Sequence, residues 1–461
     1  METNDSFTKE RKGTPARKIA ISFLWVILIG SILLWLPISN RDGHFLNYMD
    51  ALFTATSATC VTGLVTHVTV EQFNMFGQVV LMVLMQIGGI GLMTLVATFL
   101  LILKNKLSLN DTIALKEMLN QSNLFNFRFF IKGLMTYVFL LEGIGMLLLM
   151  LVFIPKYDIF QGIFKAAFIS ISAFCNAGFD NLGAYSLIEM NQEPLVLITV
   201  MILIIMGGIG FIVWFDVHGR IIPFLKKQET FKQFLTSLTL HTKIVIIATL
   251  ILIFVPAILF FLLEFQNPLT LGSLSFSDKI INALFTSVTL RTAGFASLPM
   301  ENFQMASKLL MLVGMFIGGS PGGTAGGVKT TTVAVIIICT MRSLRGKRRT
   351  NLFNRHISRD IIVRATSIVT ITLATLLIGV FALCITEEAD FMVICYEACS
   401  ALATVGLSLG ITPYLTLGGK IVIIILMYVG RIGIMTFIMS IVREDNKSDK
   451  IHYAEGHIVV G

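Results

Sequence analysis

Four stretches decide the fold: Ser57-Ala-Thr-Cys-Val-Thr-Gly63-Leu64, Ser172-Ala-Phe-Cys-Asn-Ala-Gly178-Phe179, Val288-Thr-Leu-Arg-Thr-Ala-Gly294-Phe295 and Ser400-Ala-Leu-Ala-Thr-Val-Gly406-Leu407. Their glycines recur at intervals of 115, 116 and 112 residues. An aromatic residue stands ten places ahead of the glycine in three of them (Phe53, Phe168, Tyr396), and Phe285 stands nine ahead in the third. A second glycine register follows 24 to 29 residues later: Gly88-Gly-Ile-Gly91, Gly207-Gly-Ile-Gly210, Gly318-Gly319 and Gly430-Arg-Ile-Gly433. Four motifs in two registers mark an internal repeat.

Composition sets the solvent in which that repeat folds. Of 461 residues, 55% are hydrophobic and 13% charged, where a soluble domain carries about 25% charged residues. Apolar runs of about 20 residues, long enough as helices to cross a ~30 Å hydrocarbon layer, recur along the whole chain. The first, Ile19 to Leu36, ends in Trp35-Leu-Pro37 rather than a small-residue cleavage site, so it reads as a transmembrane helix and not a signal peptide.

The net charge of +8 is not spread evenly. Most of the Lys and Arg fall before residue 19, in 104–132, 220–243 and 342–364, and after 441, while the intervening segments 40–47, 155–162, 265–279 and 387–390 are nearly free of positive charge or acidic. The positive-inside rule places both termini and three basic loops in the cytoplasm. Eight spans result: 19–37 and 76–103, 131–153 and 195–217, 244–264 and 305–341, 361–385 and 419–441. Little charge is left for nucleic acid, although Arg342-Ser-Leu-Arg-Gly-Lys-Arg-Arg349 suits anionic lipid or an acidic protein face.

Each quoted stretch lies between two spans in an apolar segment too short to cross. Each repeat therefore reads as helix, half-helix, glycine turn, long helix. A half-helix that stops inside a membrane leaves its last carbonyls unpaired, which is tolerated only against protein or a water-filled cavity. The negative end of its dipole favours a cation there. Four such loops on one axis would supply rings of carbonyls able to replace an ion's water shell. The architecture expected is an all-α polytopic membrane protein in pseudo-four-fold arrangement, with eight full transmembrane helices and both termini cytoplasmic. Its repeats occupy 19–104, 130–218, 240–342 and 358–442, between a 1–18 N-terminus and a 443–461 tail.

Repeat 3 differs from the others. Its second helix is interrupted by Gly318-Gly319-Ser320-Pro321-Gly322-Gly323-Thr324-Ala325-Gly326-Gly327. Each Gly costs a helix ~1 kcal/mol and an interior Pro ~3 kcal/mol, so a loop is expected. It is not a phosphate-binding loop, because Val328 stands where glycine must precede Lys329. The third pore helix has Val288 where the others have serine, and should end differently. Arg431 replaces a glycine of the second register (Gly89, Gly208, Gly319) near the middle of the last helix. An arginine there should face the bundle interior. Arg291, three residues before Gly294, cannot point into a cation pore and should brace its loop against a carbonyl or carboxylate.

At these residues the sequence resembles the Ktr/Trk/HKT superfamily of potassium transporters, with Arg291-Thr-Ala-Gly-Phe295 as the most specific segment, and it is closest to the Ktr branch. The resemblance covers essentially the whole chain. It implies a selectivity filter made of Val61, Thr62 and Gly63; Asn176, Ala177 and Gly178; Thr292, Ala293 and Gly294; and Thr404, Val405 and Gly406, with K+ at their carbonyls. Leu290 stands where proline is expected. Asn176 and Thr292 could aim either carbonyl or side chain at the ion. Residues 318–327 would be the gate, with Arg431 holding it closed or satisfying carbonyls of the broken helix.

The resemblance further implies a homodimer in the cell membrane on a cytosolic KtrA/KtrC-like ring of nucleotide-binding regulatory subunits. Potassium is the cargo, sodium an activator, and nucleotide sits on the partner rather than on this chain. The tail 452–461 would lie at the dimer interface.

No enzyme is expected: His67 and His218 stand alone and no nucleophile–base set lies within a span. The six cysteines have no CxxC pairing and suit packing. A sodium-coupled symporter remains the alternative. It is disfavoured because the repeats share one orientation and because Glu142, Asp216 and Glu264 are placed near span ends.

Overall fold

The computed structural model describes residues 15–91, 127–226, 230–347 and 350–441. The first basic segment up to residue 14, the later part of span 76–103, most of basic segment 104–132, Arg348, Arg349 and the tail from 442 lie outside the described residues.

Each quoted glycine follows a short helix that sits between two others. Repeat 1 has α1 (Pro15–Trp35), α2 (Tyr48–Thr59) and α3 (Met75–Ile90). Repeat 2 has α4 (Phe127–Tyr157), α5 (Ile159–Cys175), α6 (Pro194–Gly208) and α7 (Phe211–Leu225). Repeat 3 has α8 (Leu240–Glu264), α9 (Phe276–Thr289), α10 (Met305–Phe316) and α11 (Thr330–Leu344). Repeat 4 has α12 (Arg359–Thr386), α13 (Phe391–Ala403), α14 (Leu417–Ile432) and α15 (Ile434–Ile441). A two-residue-per-strand hairpin, Asn351–Leu352 against Arg355–His356, is the only sheet among the described residues.

The short helices begin at side-chain caps. Asn47 accepts from the Met49 amide at the start of α2, and Ser275 accepts from the Asp278 amide at the start of α9. With 12 to 17 residues they are roughly 18–26 Å long, short of a membrane's hydrocarbon thickness. The first helix of each repeat is long and apolar enough to cross. Its outward face carries exposed side chains such as Trp25, Leu151, Leu262 and Phe381, as expected of a surface whose solvent is lipid.

Packing between repeats is cyclic. The second helix of each repeat rests on the short helix of the next: α3 on α5, α6 on α9, α10 on α13, and α14 back on α2. Four buried apolar clusters fill these joints.

Eight continuous spans are not what these residues form. Four helices cross by length and composition, or five if the pair Pro194–Gly208 and Phe211–Ile221, bent by 99°, counts as one. The second helix breaks in repeats 2, 3 and 4, not in repeat 3 alone, and α3 stops at Ile90. The cause is the last glycine of the second register: Gly91, Gly210 and Gly433 have φ of 89°, 95° and 87°, which interrupts the helical ladder at no steric cost only for glycine. The earlier glycines do pack. A Cβ at Gly88, Gly207 or Gly430 would strike the carbonyl of Thr59, Phe174 or Leu402, at the end of a short helix.

Candidate ion-conducting site

The four glycine loops meet in one ring. In each, the residue two before the glycine is left-handed (Val61 57°, Asn176 59°, Thr292 63°, Thr404 53°), and so is the glycine (Gly63 98°, Gly178 70°, Gly294 79°, Gly406 92°). Residues other than glycine avoid this region, so four of them at equivalent places show a backbone shape imposed four times.

Closure follows from what a side chain at each glycine would meet. A Cβ on Gly63 would lie 2.6 Å from the Ala177 carbonyl oxygen, one on Gly178 2.9 Å from that of Ala293, and one on Gly294 2.6 Å from that of Val405. A Cβ on Gly406 would overlap the Thr62 carbonyl oxygen, which completes the circle. The carbonyls of Thr62, Ala177, Ala293 and Val405 therefore share a narrow ring with four glycine backbones. Above it opens a funnel of about 170 Å³ with all four glycines among its lining residues.

Three loops end their helices alike. The amides of Thr62, Ala177 and Val405 donate to the carbonyls of Ser57, Ser172 and Ser400 at 2.8 Å, the bond pattern that terminates a helix through a left-handed residue. The Ser57 and Ser400 hydroxyls also accept from the amides of Gly63 and Gly406, at 3.1 and 3.0 Å. Loop 3, with Val288 and no hydroxyl at that place, differs. The Ala293 amide donates to the Thr289 carbonyl at 2.9 Å, and the Thr289 hydroxyl donates to the Phe295 carbonyl at 2.7 Å.

Below the ring lies the glycine-rich segment, between Phe316 and Thr330. The Thr324 hydroxyl donates to the Phe174 carbonyl (3.2 Å) and to the Asn176 side-chain oxygen (3.0 Å). The Gly326 amide donates to the Thr292 hydroxyl at 3.1 Å, and a Cβ on Gly326 would strike the Thr404 hydroxyl. The side chains of Asn176 and Thr292 are thus committed to this segment, the Asn176 amide also donating to the Arg291 carbonyl at 3.3 Å. The segment closes on itself through Ser320 and Thr330, whose hydroxyls lie 3.0 Å apart, and through Gly318 to Val328 (3.0 Å). Its amides at Ser320 and Thr324 donate to the last carbonyls of α6, at Gly208 and Gly207. Pro321 and Gly322 reach the break after α6, where the Phe211 amide donates to the Gly322 carbonyl at 3.0 Å. Gly319 and Gly323 also pack at the end of α6, Gly319 against the Ala325 methyl as well, and Gly327 packs on Gly318.

Arg431 joins three repeats. From α14 its guanidinium donates to the Thr324 carbonyl in the segment and to the Gly88 and Gly89 carbonyls at the end of α3. Arg431 contacts the segment at Thr324, and the helix-end carbonyls it satisfies belong to α3 of repeat 1 rather than to the interrupted helix of repeat 3.

Two placements differ from expectation. Arg291 is buried, and its Nε and Nη2 have no hydrogen-bond partner, so those nitrogens do not brace the loop. Glu142 stands in the middle of α4, not near its end. It is buried and accepts from Gln86 of repeat 1 at 3.0 and 3.1 Å. A third cluster has no counterpart in the sequence reading: Lys420 of α14 donates to Asp50 of α2 at 2.6 Å, with His67 3.5 Å from the other oxygen. The signal was Lys420 itself, a cation inside an apolar run. All six cysteines are free.

Above the ring, Asp180 follows Gly178 by two residues and accepts from the Leu182 amide at 3.2 Å. Burial pushes its carboxyl above its ordinary value, although the Leu182 and Gly183 amides, Ser186 and Lys165 pull the other way.

A ring of carbonyls at the ends of four re-entrant helices defines a class of cation-handling membrane protein. The chain belongs to the TrkH family of cation transport proteins, whose model matches residues 3–451. It is 40% identical over 461 residues to the Ktr system potassium uptake protein B of Bacillus subtilis (strain 168), covering 99% of each chain. It is 39% identical to the potassium/sodium uptake protein NtpJ of Enterococcus hirae, covering 97% of each, and 33% identical to the Ktr system potassium uptake protein D of Bacillus subtilis. The solved potassium transporter TrkH from Vibrio parahaemolyticus shares the fold at a TM-score of 0.71 and 18% identity, over 95% of this chain and 86% of that one.

Proposed function

We propose that this chain is the potassium-conducting subunit of a Ktr-type uptake system in the cell membrane, with the four glycine loops as its selectivity filter. The observation that carries it is the ring in which the Thr62, Ala177, Ala293 and Val405 carbonyls meet the next glycine. Carbonyl oxygens replace a monovalent cation's hydration shell without binding it too tightly to leave. The buried hydroxyls of Thr62 and Thr404 have no hydrogen-bond partner among the described residues and leave two further oxygens near the loops. The names of the relatives, potassium uptake and potassium/sodium uptake, support the choice of ion.

The glycine-rich segment is the gate and Arg431 its latch. The segment closes the space beneath loops 2, 3 and 4, and a fixed positive charge under the ring opposes a passing cation. The second helices of repeats 2, 3 and 4, though broken, complete their crossings, and the four-fold repeat supports eight traverses with cytoplasmic termini. A homodimer on a cytosolic nucleotide-binding ring, with sodium as activator, completes the system.

The test is rescue of a potassium-uptake-deficient bacterium at low external potassium, with and without a regulatory subunit. Failure to rescue in both, with the protein present in the membrane, rejects conduction. A second reading, sodium-coupled symport, is favoured by Glu142, a carboxylate buried mid-span without a cationic partner among the described residues. Reversal potentials in proteoliposomes separate the two: a shift with the sodium gradient at fixed potassium establishes coupling.

A further inference from the structure

The funnel above the glycine ring is lined four times over by the residue two places after the glycine. These are Val65, Asp180, Ala296 and Ser408, one from each repeat. Asp180 is the only charged residue among all that line the funnel. It forms no salt bridge among the described residues. Lys165 of the same repeat acts on Asp180 through space without forming a salt bridge to it: its ammonium donates to the Asn181 carbonyl at 2.5 Å and sits 4.6 Å over the Tyr157 ring. Ser408, on the wall contributed by repeat 4, donates to the buried Glu397 at 2.7 Å. Among the described residues that line the funnel, the one carboxylate therefore belongs to one loop.

We propose that Asp180 is the cation-capture residue of this protein, a single carboxylate that raises the local concentration of monovalent cations over the glycine ring. The inference rests on the conduction reading and adds the residue that sets apparent affinity. A cleft with low-dielectric walls focuses the field of a charge at its mouth and concentrates counter-ions there. Carboxylates at a pore entrance select for cations by the same means. A residue that only attracts the ion alters the concentration at which the pore fills, not the rate at which a filled pore conducts.

The competing role is structural, since Asp180 accepts the Leu182 amide and also faces the Gly183 amide and Ser186. Asp180→Asn keeps an acceptor oxygen for the Leu182 amide and removes the charge. Ala296 is at the same ring position in loop 3, where its backbone oxygen accepts from the Leu187 amide at 3.1 Å. A carboxylate placed there restores charge to the funnel without restoring the turn.

The experiment is rubidium uptake into potassium-depleted cells expressing the full system, measured against external concentration, with membrane levels checked for each variant. Asp180→Asn raises KM on the order of tenfold and leaves the maximal rate within about twofold. Ala296→Asp in the Asp180→Asn background brings KM back toward wild type. The wild-type advantage shrinks as ionic strength is raised with N-methylglucamine chloride, because salt screens the attraction. An unchanged KM in Asp180→Asn overturns the proposal and leaves conduction standing. A loss of maximal rate that Ala296→Asp does not repair overturns it in favour of the structural role. Absence of uptake by the wild type rejects conduction itself, and this inference with it.

Discussion

The ring of glycine loops and the layer beneath it are built from the same four repeats, yet only the ring keeps their symmetry. In the ring, eight positive φ values fall at equivalent places and each glycine faces the carbonyl of the next loop. Below it, repeat 3 contributes a long glycine-rich segment, repeat 4 contributes Arg431, and repeats 1 and 2 contribute the broken helix ends on which these rest. In the proposed function an ion seen by four carbonyls needs near-equal neighbours, which symmetry supplies. The proposed latch needs one arm and one catch, and repetition would only add barriers. On that reading divergence is confined to the layer where identical copies would interfere.

Breaking the ring has the largest expected effect. Gly406→Ser puts a side chain at φ 92° and into the Thr62 carbonyl. With roughly 1–3 kcal/mol of backbone strain before the clash is counted, uptake should fall on the order of 100-fold while folded protein is retained. Rubidium uptake normalised to membrane level checks it, and near-normal uptake would show that the ring does not conduct.

Removing the asymmetric layer acts in the opposite direction. Deletion of Ser320–Gly326 should raise flux about tenfold, as expected when an open state is a minor population before the deletion. Unchanged flux in proteoliposomes would count against gating. Arg431→Ala should raise it less, because the segment keeps its bonds to Gly207, Gly208, Phe174 and Thr292. A hydrogen bond from a charged group contributes about 1.5–3 kcal/mol, enough for a several-fold change in gate occupancy. A parallel loss of folded yield and flux would reduce Arg431 to a structural cap.

The smallest effect tests how equal the loops are. Ser400→Ala removes the acceptor of the Gly406 amide and should lower stability by about 1 kcal/mol. Ser172→Ala should cost less, since the Ser172 hydroxyl has no partner. Thermal unfolding of the purified protein in detergent compares them, and equal losses would mean the loops are more alike than their bonds indicate.

Much of this was legible beforehand where local chemistry decides it. Val288 marks the loop whose short helix ends differently, although the unpartnered Ser172 hydroxyl in loop 2, which ends as loops 1 and 4 do, shows that a bond to the glycine amide is not what sets the pattern. The glycines of 318–327 foretold a break in the helix, because no helix tolerates them. The helix end at Gly91 and the breaks at Gly210 and Gly433 are not foreseen from the sequence. One glycine in an apolar run costs a helix only ~1 kcal/mol, and packing decides whether it bends. Glu142 lies at the centre of the 131–153 span by residue count alone, and what the sequence did not supply was its partner, Gln86 of repeat 1.

By itself the sequence determined the repeat, the membrane as solvent, and the glycines that allow a turn at each short helix, since hydrophobic length and backbone freedom are local properties. Only the tertiary structure decided that Arg431 reaches the Gly88 and Gly89 carbonyls, that Lys420 pairs with Asp50, and that Asp180 stands alone over the ring. Each of these depends on residues separated by more than a hundred positions being brought together when the four repeats close, and no period in the chain records which of them will meet.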